Sequence, residues 1–133
     1  MTLLDTHALI WLSEGSARLG PRARSLADRA LAEGTLAVSA ISFWEVAMLR
    51  RGGRIELNQP VDAWRAGLLE KGLVEIGIDG ELAVTAAELA DFHDDPADRL
   101  VVATASRLGA TLVTADGRIR DWPGELRRHD ARA

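Results

Sequence analysis

Residues 2–12 read TLLDTHALIWL, an apolar run interrupted by an aspartate at position 5 and a histidine at position 7. An acid inside such a run is costly unless something neutralises it. The stretch therefore poses three alternatives: a poor export signal, a strand running into a helix, or the first piece of a charged site. Residues 2–5 have the length of a short buried strand, and HALIWLS, residues 7–13, spaces Leu9, Ile10 and Leu12 for a helix that packs inward. A strand that ends on Asp5 and turns straight into a helix is the opening step of a parallel α/β sheet.

The same step recurs along the chain. Strands are expected at residues 2–5, 35–40 (TLAVSA), 73–78 (LVEIGI) and 110–115 (ATLVTA), with helical patterns at 7–13, 21–34, 42–52, 60–72, 79–92 and 96–109. Proline opens and glycine follows two of these helices, at Pro21 and Gly34 and at Pro60 and Gly72. Residues 51–60, RGGRIELNQP, form a connector expected to carry a short edge strand. This alternation predicts the α/β class, with helices on both faces of a central parallel sheet. No repeat or linker interrupts it, so one domain over residues 1–133 is expected.

Composition narrows the function classes. A chain of 133 residues that is 47% apolar and 27% charged is balanced as a soluble globular domain, not as a disordered or membrane protein. No run approaches the roughly 20 apolar residues of a membrane helix. The N-terminal run lacks a preceding basic region, so export is not expected. Without cysteine there is no thiolate nucleophile, disulfide or zinc–thiolate site, and a cytoplasmic protein is expected. A net charge of −4 counts mildly against binding nucleic acid through bulk electrostatics. The basic residues are fifteen arginines and Lys71, gathered at Arg50, Arg51 and Arg54 and again at Arg118, Arg120, Arg127, Arg128 and Arg132. Arginine suits bidentate phosphate contacts, and solvated helix faces use it equally well.

Four acids fall where a parallel sheet builds its sites, at the carboxyl ends of strands. Asp5 ends the first strand, Glu45 lies in the first turn after the second, Asp98 opens the helix before the last strand, and Asp116 directly follows that strand. Each also has an ordinary structural use. Asp5 suits a helix cap, Ser42 with Glu45 fits a capping box, Asp98 falls at the third position of a helix capped by Asp95, and Asp116–Gly117 is a turn pair. Together, four carboxylates at one sheet edge repel one another and raise their own pKa values unless a cation offsets them. Oxygen donors suit Mg²⁺ or Mn²⁺, and with only His7, His93 and His129 available zinc is disfavoured. A carboxylate-held divalent ion with open water positions suits hydrolysis of a phosphodiester.

LLDTHALIWL, VSAISFWEVA, DPADRLVVATA and LVTAD follow one another in the order of the signatures of PIN-domain ribonucleases. The chain resembles the VapC-type toxins of toxin–antitoxin pairs in particular. The resemblance implies a three-layer α/β/α domain, an Mg²⁺ or Mn²⁺ site, an RNA substrate, a homodimer and a cognate antitoxin that occludes the site. Carried over by position, it makes Asp5 and Asp98 direct metal ligands. Glu45 becomes a ligand, directly or through water, or the group that positions the attacking water, and Asp116 acts through water or a second metal. Thr6 and Thr114 are candidates for orienting the carboxylates, and Arg99, Arg118 and Arg120 for contacting RNA. Trp11, Trp44 and Trp64 suit core or dimer packing, and Trp122 an exposed contact. His7 and His93 read as structural.

Two other classes stay open. One is a PIN-like module that binds RNA or a partner without cutting. The other is a different Mg²⁺-dependent phosphatase of the haloacid-dehalogenase kind, which wants a second aspartate two residues after the first, where this chain has His7. A receiver domain needs a lysine near its C-terminal edge, and the sole lysine is Lys71.

Overall fold

Strands β1 (Thr2–Leu4), β2 (Leu36–Ser39), β3 (Val74–Ile76), β4 (Thr111–Thr114) and β5 (Arg127–Asp130) make one parallel sheet in the order β3-β2-β1-β4-β5. These elements come from a computed structural model that describes residues 1–133. Helices α1 (Thr6–Glu14), α2 (Pro21–Glu33), α3 (Ala40–Arg51), α4 (Val61–Glu70), α5 (Gly80–Ala87), α6 (Pro96–Leu108) and α7 (Gly117–Arg120) fill the connections. None is long and apolar enough to cross a membrane.

Register explains why the inner positions of the central strands are apolar on both faces. Leu3 pairs with Ala37 and Leu112, and all three face Val101, Val102 and Ala105 of α6. The next residues along, Leu4, Val38 and Val113, face the opposite way, toward Leu9 and Ile10 of α1 and Ala23, Ala27 and Ala30 of α2. Successive strand residues point to opposite faces, so a sheet covered on both sides buries them all. The three alanines of α2 recur at helical spacing and let its backbone approach the sheet closely.

Several expectations need correction. Residues 51–60 carry no strand; Ile55 and Leu57 there pack against the core from a connector. The helix expected over 79–92 ends at Ala87: the Ala86 and Ala87 carbonyls, which the next turn would use, accept from Arg99 instead, and the Leu89, Ala90 and Phe92 carbonyls beyond are taken by Arg99 and Trp122. Ser39, not Ser42, caps α3, accepting from Ile41 N, while Ser42 is buried and turned toward Thr6. Trp44 is 58% exposed and so is no part of the core, whereas Trp11 and Trp64 are buried. A fifth strand, RRHD at β5, lies on the sheet edge with no apolar alternation to announce it.

The edge strand is held through the chain end beyond it. Gly20 N donates to Ala131 O at 2.8 Å, and Arg22 N to Ala133 O at 3.1 Å. A Cβ on Gly20 would lie 2.3 Å from the Ala133 carbonyl carbon. Gly67 in α4 has open space around it instead. Gly20→Ala is expected to destabilise the protein by about 1–3 kcal/mol in urea unfolding, the usual cost of a forced backbone shift. Gly67→Ala, which stiffens a helix interior, is expected to stabilise it by about 0.5–1 kcal/mol. Equal effects of the two changes would contradict the close approach.

Candidate active site

The strand order makes the crevice outside β1 and β4 the switch point of the sheet, since successive strands run outward from β1 first on one side and then on the other. A cleft of about 320 Å³ opens there, and Asp5, Glu45, Asp98 and Asp116 all line it. The four arrive on different elements. Asp5 follows β1 and caps α1, its Oδ1 accepting from Ala8 N at 2.9 Å. Glu45 projects from the second turn of α3, Asp98 from the first turn of α6, and Asp116 caps α7 after β4. Capping and site building are therefore the same act for Asp5 and Asp116, since a cap carboxyl sits at a strand end by construction.

Two hydroxyl groups hold the acids from below. Buried Thr6 donates to Glu45 Oε1 and lies 2.9 Å from the Ser42 hydroxyl. Buried Thr114 accepts from Asp116 N at 3.1 Å, and its hydroxyl also favours the charged form of Asp5. Asp95 Oδ1 accepts from Asp98 N at 2.9 Å, closing the N-terminus of α6 behind Pro96. Asp98 Oδ2 in turn meets His93 Nε2 at 2.7 Å.

Charge in the cleft is lopsided. Asp95 joins the four acids in its lining, and Arg118 and Arg132 are the only guanidinium groups there. Burial pushes Asp5 above the usual carboxylate range against the hydrogen bonds from Thr114 and Ala8, with the Asp98 charge adding to the rise. Burial likewise raises Glu45, which also feels Asp98 and Asp95, and raises Asp98, which also feels Asp95 and Asp116. Asp116 goes the other way: burial opposes it, but the Arg118 side chain and backbone N–H hold it below its ordinary value. Arg118 Nη2 lies 3.0 Å from Asp116 Oδ2 and 3.5 Å from Asp98 Oδ2.

The donor set fits a hard divalent cation. Asp98 and Asp116 offer oxygens within 4.8 Å of each other, and His93 Nε2 lies beside them, engaged with Asp98 Oδ2. Asp5 and Glu45 add carboxylates from across the same cleft. Carboxylates whose burial disfavours their charge are the groups that gain most from a cation.

Other candidate residues divide. Arg118 stands at the mouth of the cleft and is exposed, and Arg120 is exposed outside it, 3.5 Å from Asp130. Arg99, a candidate RNA contact by its place next to Asp98, points away: its guanidinium donates to five backbone carbonyls and its side chain is only 16% exposed. Arg128 does the same for the carbonyls of Ile119, Arg120, Trp122, Gly124 and Leu126. Trp122 is not free either, since its Nε1 donates to Ala90 O at 2.8 Å. His7 is exposed and lines the cleft, against its reading as structural. His93 is the residue that spacing alone missed; its place in FHDDP, five residues before Asp98, was the available signal.

The profile of the PIN domain matches residues 2–125. Ribonuclease VapC22 of Mycobacterium tuberculosis (strain ATCC 25618 / H37Rv) is 42% identical over 119 residues, covering 89% of this chain and 88% of that protein. Among solved structures, a toxin–antitoxin complex from Klebsiella pneumoniae superposes with a TM-score of 0.64 at 20% identity, covering 98% of both chains. VapBC2 from Rickettsia felis, bound to a DNA fragment from its promoter, gives 0.67 at 17% identity and 96% of both chains. The chain belongs to the PIN-domain family and, by its identity to VapC22 over most of its length, to the VapC group within it.

Proposed function

We propose that this protein is an Mg²⁺- or Mn²⁺-dependent endoribonuclease, the toxin of a toxin–antitoxin pair, held inactive by its antitoxin. The observation that carries the reading is the convergence of Asp5, Glu45, Asp98 and Asp116 from four elements on one cleft at the switch point of the sheet. The identity to a protein named as a ribonuclease supports RNA as substrate, and the likeness to a toxin–antitoxin complex supports the partner.

Asp5 and Asp98 would hold a divalent ion, and Asp116 would complete the site directly or through water. A bound divalent ion supplies Lewis acidity that acidifies water and offsets charge building on a phosphate under attack. Glu45, oriented by Thr6, accepts a hydrogen bond from the attacking water and aims its oxygen at phosphorus. The water oxygen bonds to phosphorus as its proton passes to the Glu45 carboxylate, the phosphorus–oxygen ester bond breaks, and the leaving oxygen takes a proton from solvent, giving two shorter RNA chains. Arg118 contacts backbone phosphate at the mouth of the cleft, and Arg120 contacts it farther along, outside the cleft. Their charge is needed there, because the cleft itself repels a polyanion.

The active species in this reading is a homodimer in the cytoplasm. Ile78 and Val84, 38% and 56% exposed, offer apolar surface to a second copy. Trp44 and Met48 are 58% and 43% exposed one turn apart on α3, flanking Glu45. An antitoxin segment that covers this pair also covers the approach to the cleft.

Two predictions test this. Purified protein is expected to cut RNA with Mg²⁺ or Mn²⁺ and not in EDTA. Asp5→Asn and Asp98→Asn are each expected to lower the cleavage rate at least about 100-fold, some 2.7 kcal/mol on the barrier, without changing the circular dichroism spectrum. Full activity in both variants, or in EDTA, contradicts the assignment.

The second concerns stability without metal. An acid with a raised folded-state pKa binds more protons in the folded than in the unfolded chain, so stability falls as pH rises through that interval. Asp5, Glu45 and Asp98 act in this sense and Asp116 in the opposite one. Asn caps helices as well as Asp. Asp5→Asn is therefore expected to raise the melting temperature of the metal-free protein at pH 7, with a smaller gain near pH 4, while reducing the rise that Mn²⁺ produces. A lower melting temperature at pH 7 contradicts the strain assigned to Asp5.

A further inference from the structure

The loop between α5 and α6 is held far more tightly than a cover for the core requires. Arg99 Nε donates to His93 O at 2.9 Å, Nη2 to Phe92 O at 2.6 Å, and Nη1 to Ala86, Ala87 and Leu89 O at 3.1–3.2 Å. Trp122 Nε1 takes Ala90 O. Asp91 supplies the turn with a φ of 56°, a conformation Asp tolerates better than most residues. The buried Phe92 ring then lies edge-on to Trp122, with centroids 5.6 Å apart, and stacks on the His93 ring at 4.3 Å.

The outcome of all these contacts is the placement of one ring nitrogen. His93 Nε2 sits 2.7 Å from Asp98 Oδ2, with both side chains about one-fifth exposed. Arg118 approaches the same oxygen at 3.5 Å. Both contacts fall on Oδ2, which leaves Oδ1 to take a cation. A carboxylate held at one oxygen is restrained from turning, which keeps its free oxygen aimed. With its proton on Nε2, the tautomer that a carboxylate partner favours, the ring donates to Oδ2.

We propose that His93 is a positioning residue for Asp98, fixing the carboxylate for one-oxygen metal binding, and that Arg99 and Trp122 hold the loop that delivers it. The proposal rests on the reading of Asp98 as a metal ligand. It gives Arg99 a role in the site that involves no contact with RNA.

Mn²⁺ binding to the full-length protein, followed by the electron paramagnetic resonance of free Mn²⁺, tests it apart from activity. Asp98→Asn is expected to lose binding; unchanged affinity there overturns the metal site itself. His93→Ala is expected to weaken binding about 10–100-fold, the usual effect of removing a group that orients a ligand. His93→Gln, whose amide N–H reaches a similar position, is expected to restore most of that loss. Wild-type affinity in His93→Ala, with Asp98→Asn defective, overturns the role of His93 alone. Equal loss in His93→Ala and His93→Gln overturns it too, since then the hydrogen bond is not what matters.

Discussion

Like charges crowded at the carboxyl ends of parallel strands are the constraint around which this molecule is arranged. Asp98 and Asp116 hold oxygens within 4.8 Å of each other. At that separation and an effective dielectric near 20, their repulsion is about 3–4 kcal/mol if both are ionised. Asp5 adds to this from a site where burial already disfavours its charge. Ionised and without a cation, this group costs stability. The strand order concentrates it further, because β1 is central and β4 lies beside it, so the carboxyls that follow both strands face one crevice. Arg118 offsets part of the charge through Asp116 and Asp98, but it is exposed and solvent screens it. A divalent cation would offset more, and in the proposed reading its binding would change both the chemistry and the stability of the site.

The sheet fixes only half of this arrangement. Asp5 and Asp116 stand directly at strand ends and inherit the rigidity of the core. Asp98 stands on a helix entered from a loop, and that loop needs its own fastening. Arg99 supplies it by engaging five carbonyls, and Arg128 does the same for the loop between α7 and β5. Buried carbonyls left without donors are costly, so a guanidinium with five N–H groups serves where neither helix nor strand hydrogen bonding reaches. Two of the arginines that made the composition look suited to phosphate are instead interior fastenings. Arg118 and Arg120 keep exposed heads.

What the sequence displays follows the same division. The core strands were legible because burial on both faces leaves an unbroken apolar run, as in LLD, LAVS and TLVT. Asp5 and Asp116 were legible because they directly follow such runs, and Glu45 and Asp98 because each lies near the start of a helix that follows or leads into one. β5 was not, since an edge strand faces partner strands on one side only and tolerates RRHD, whose charges also guard the edge. The end of α5 was not legible because the residues beyond Ala87 are compatible with a helix, and what stops it is Arg99, reached from a later helix. Ser42 and Glu45 match a capping box by spacing, yet Ser39 reaches the free N–H first and Ser42 turns to Thr6. His93 escaped for a related reason: its importance lies in a contact five residues away that only the fastened loop produces.

The account stands or falls on whether a divalent ion sits among these carboxylates. The most direct measurement is anomalous scattering from a crystal of the protein grown or soaked with Mn²⁺. The expected result is a peak in the crevice outside β1 and β4, at about 2.0–2.3 Å, the usual range for metal–oxygen bonds, from oxygens of Asp5 and Asp98. An empty crevice at saturating Mn²⁺, or an ion bound elsewhere on the protein, contradicts the claim that these acids are gathered to share a cation.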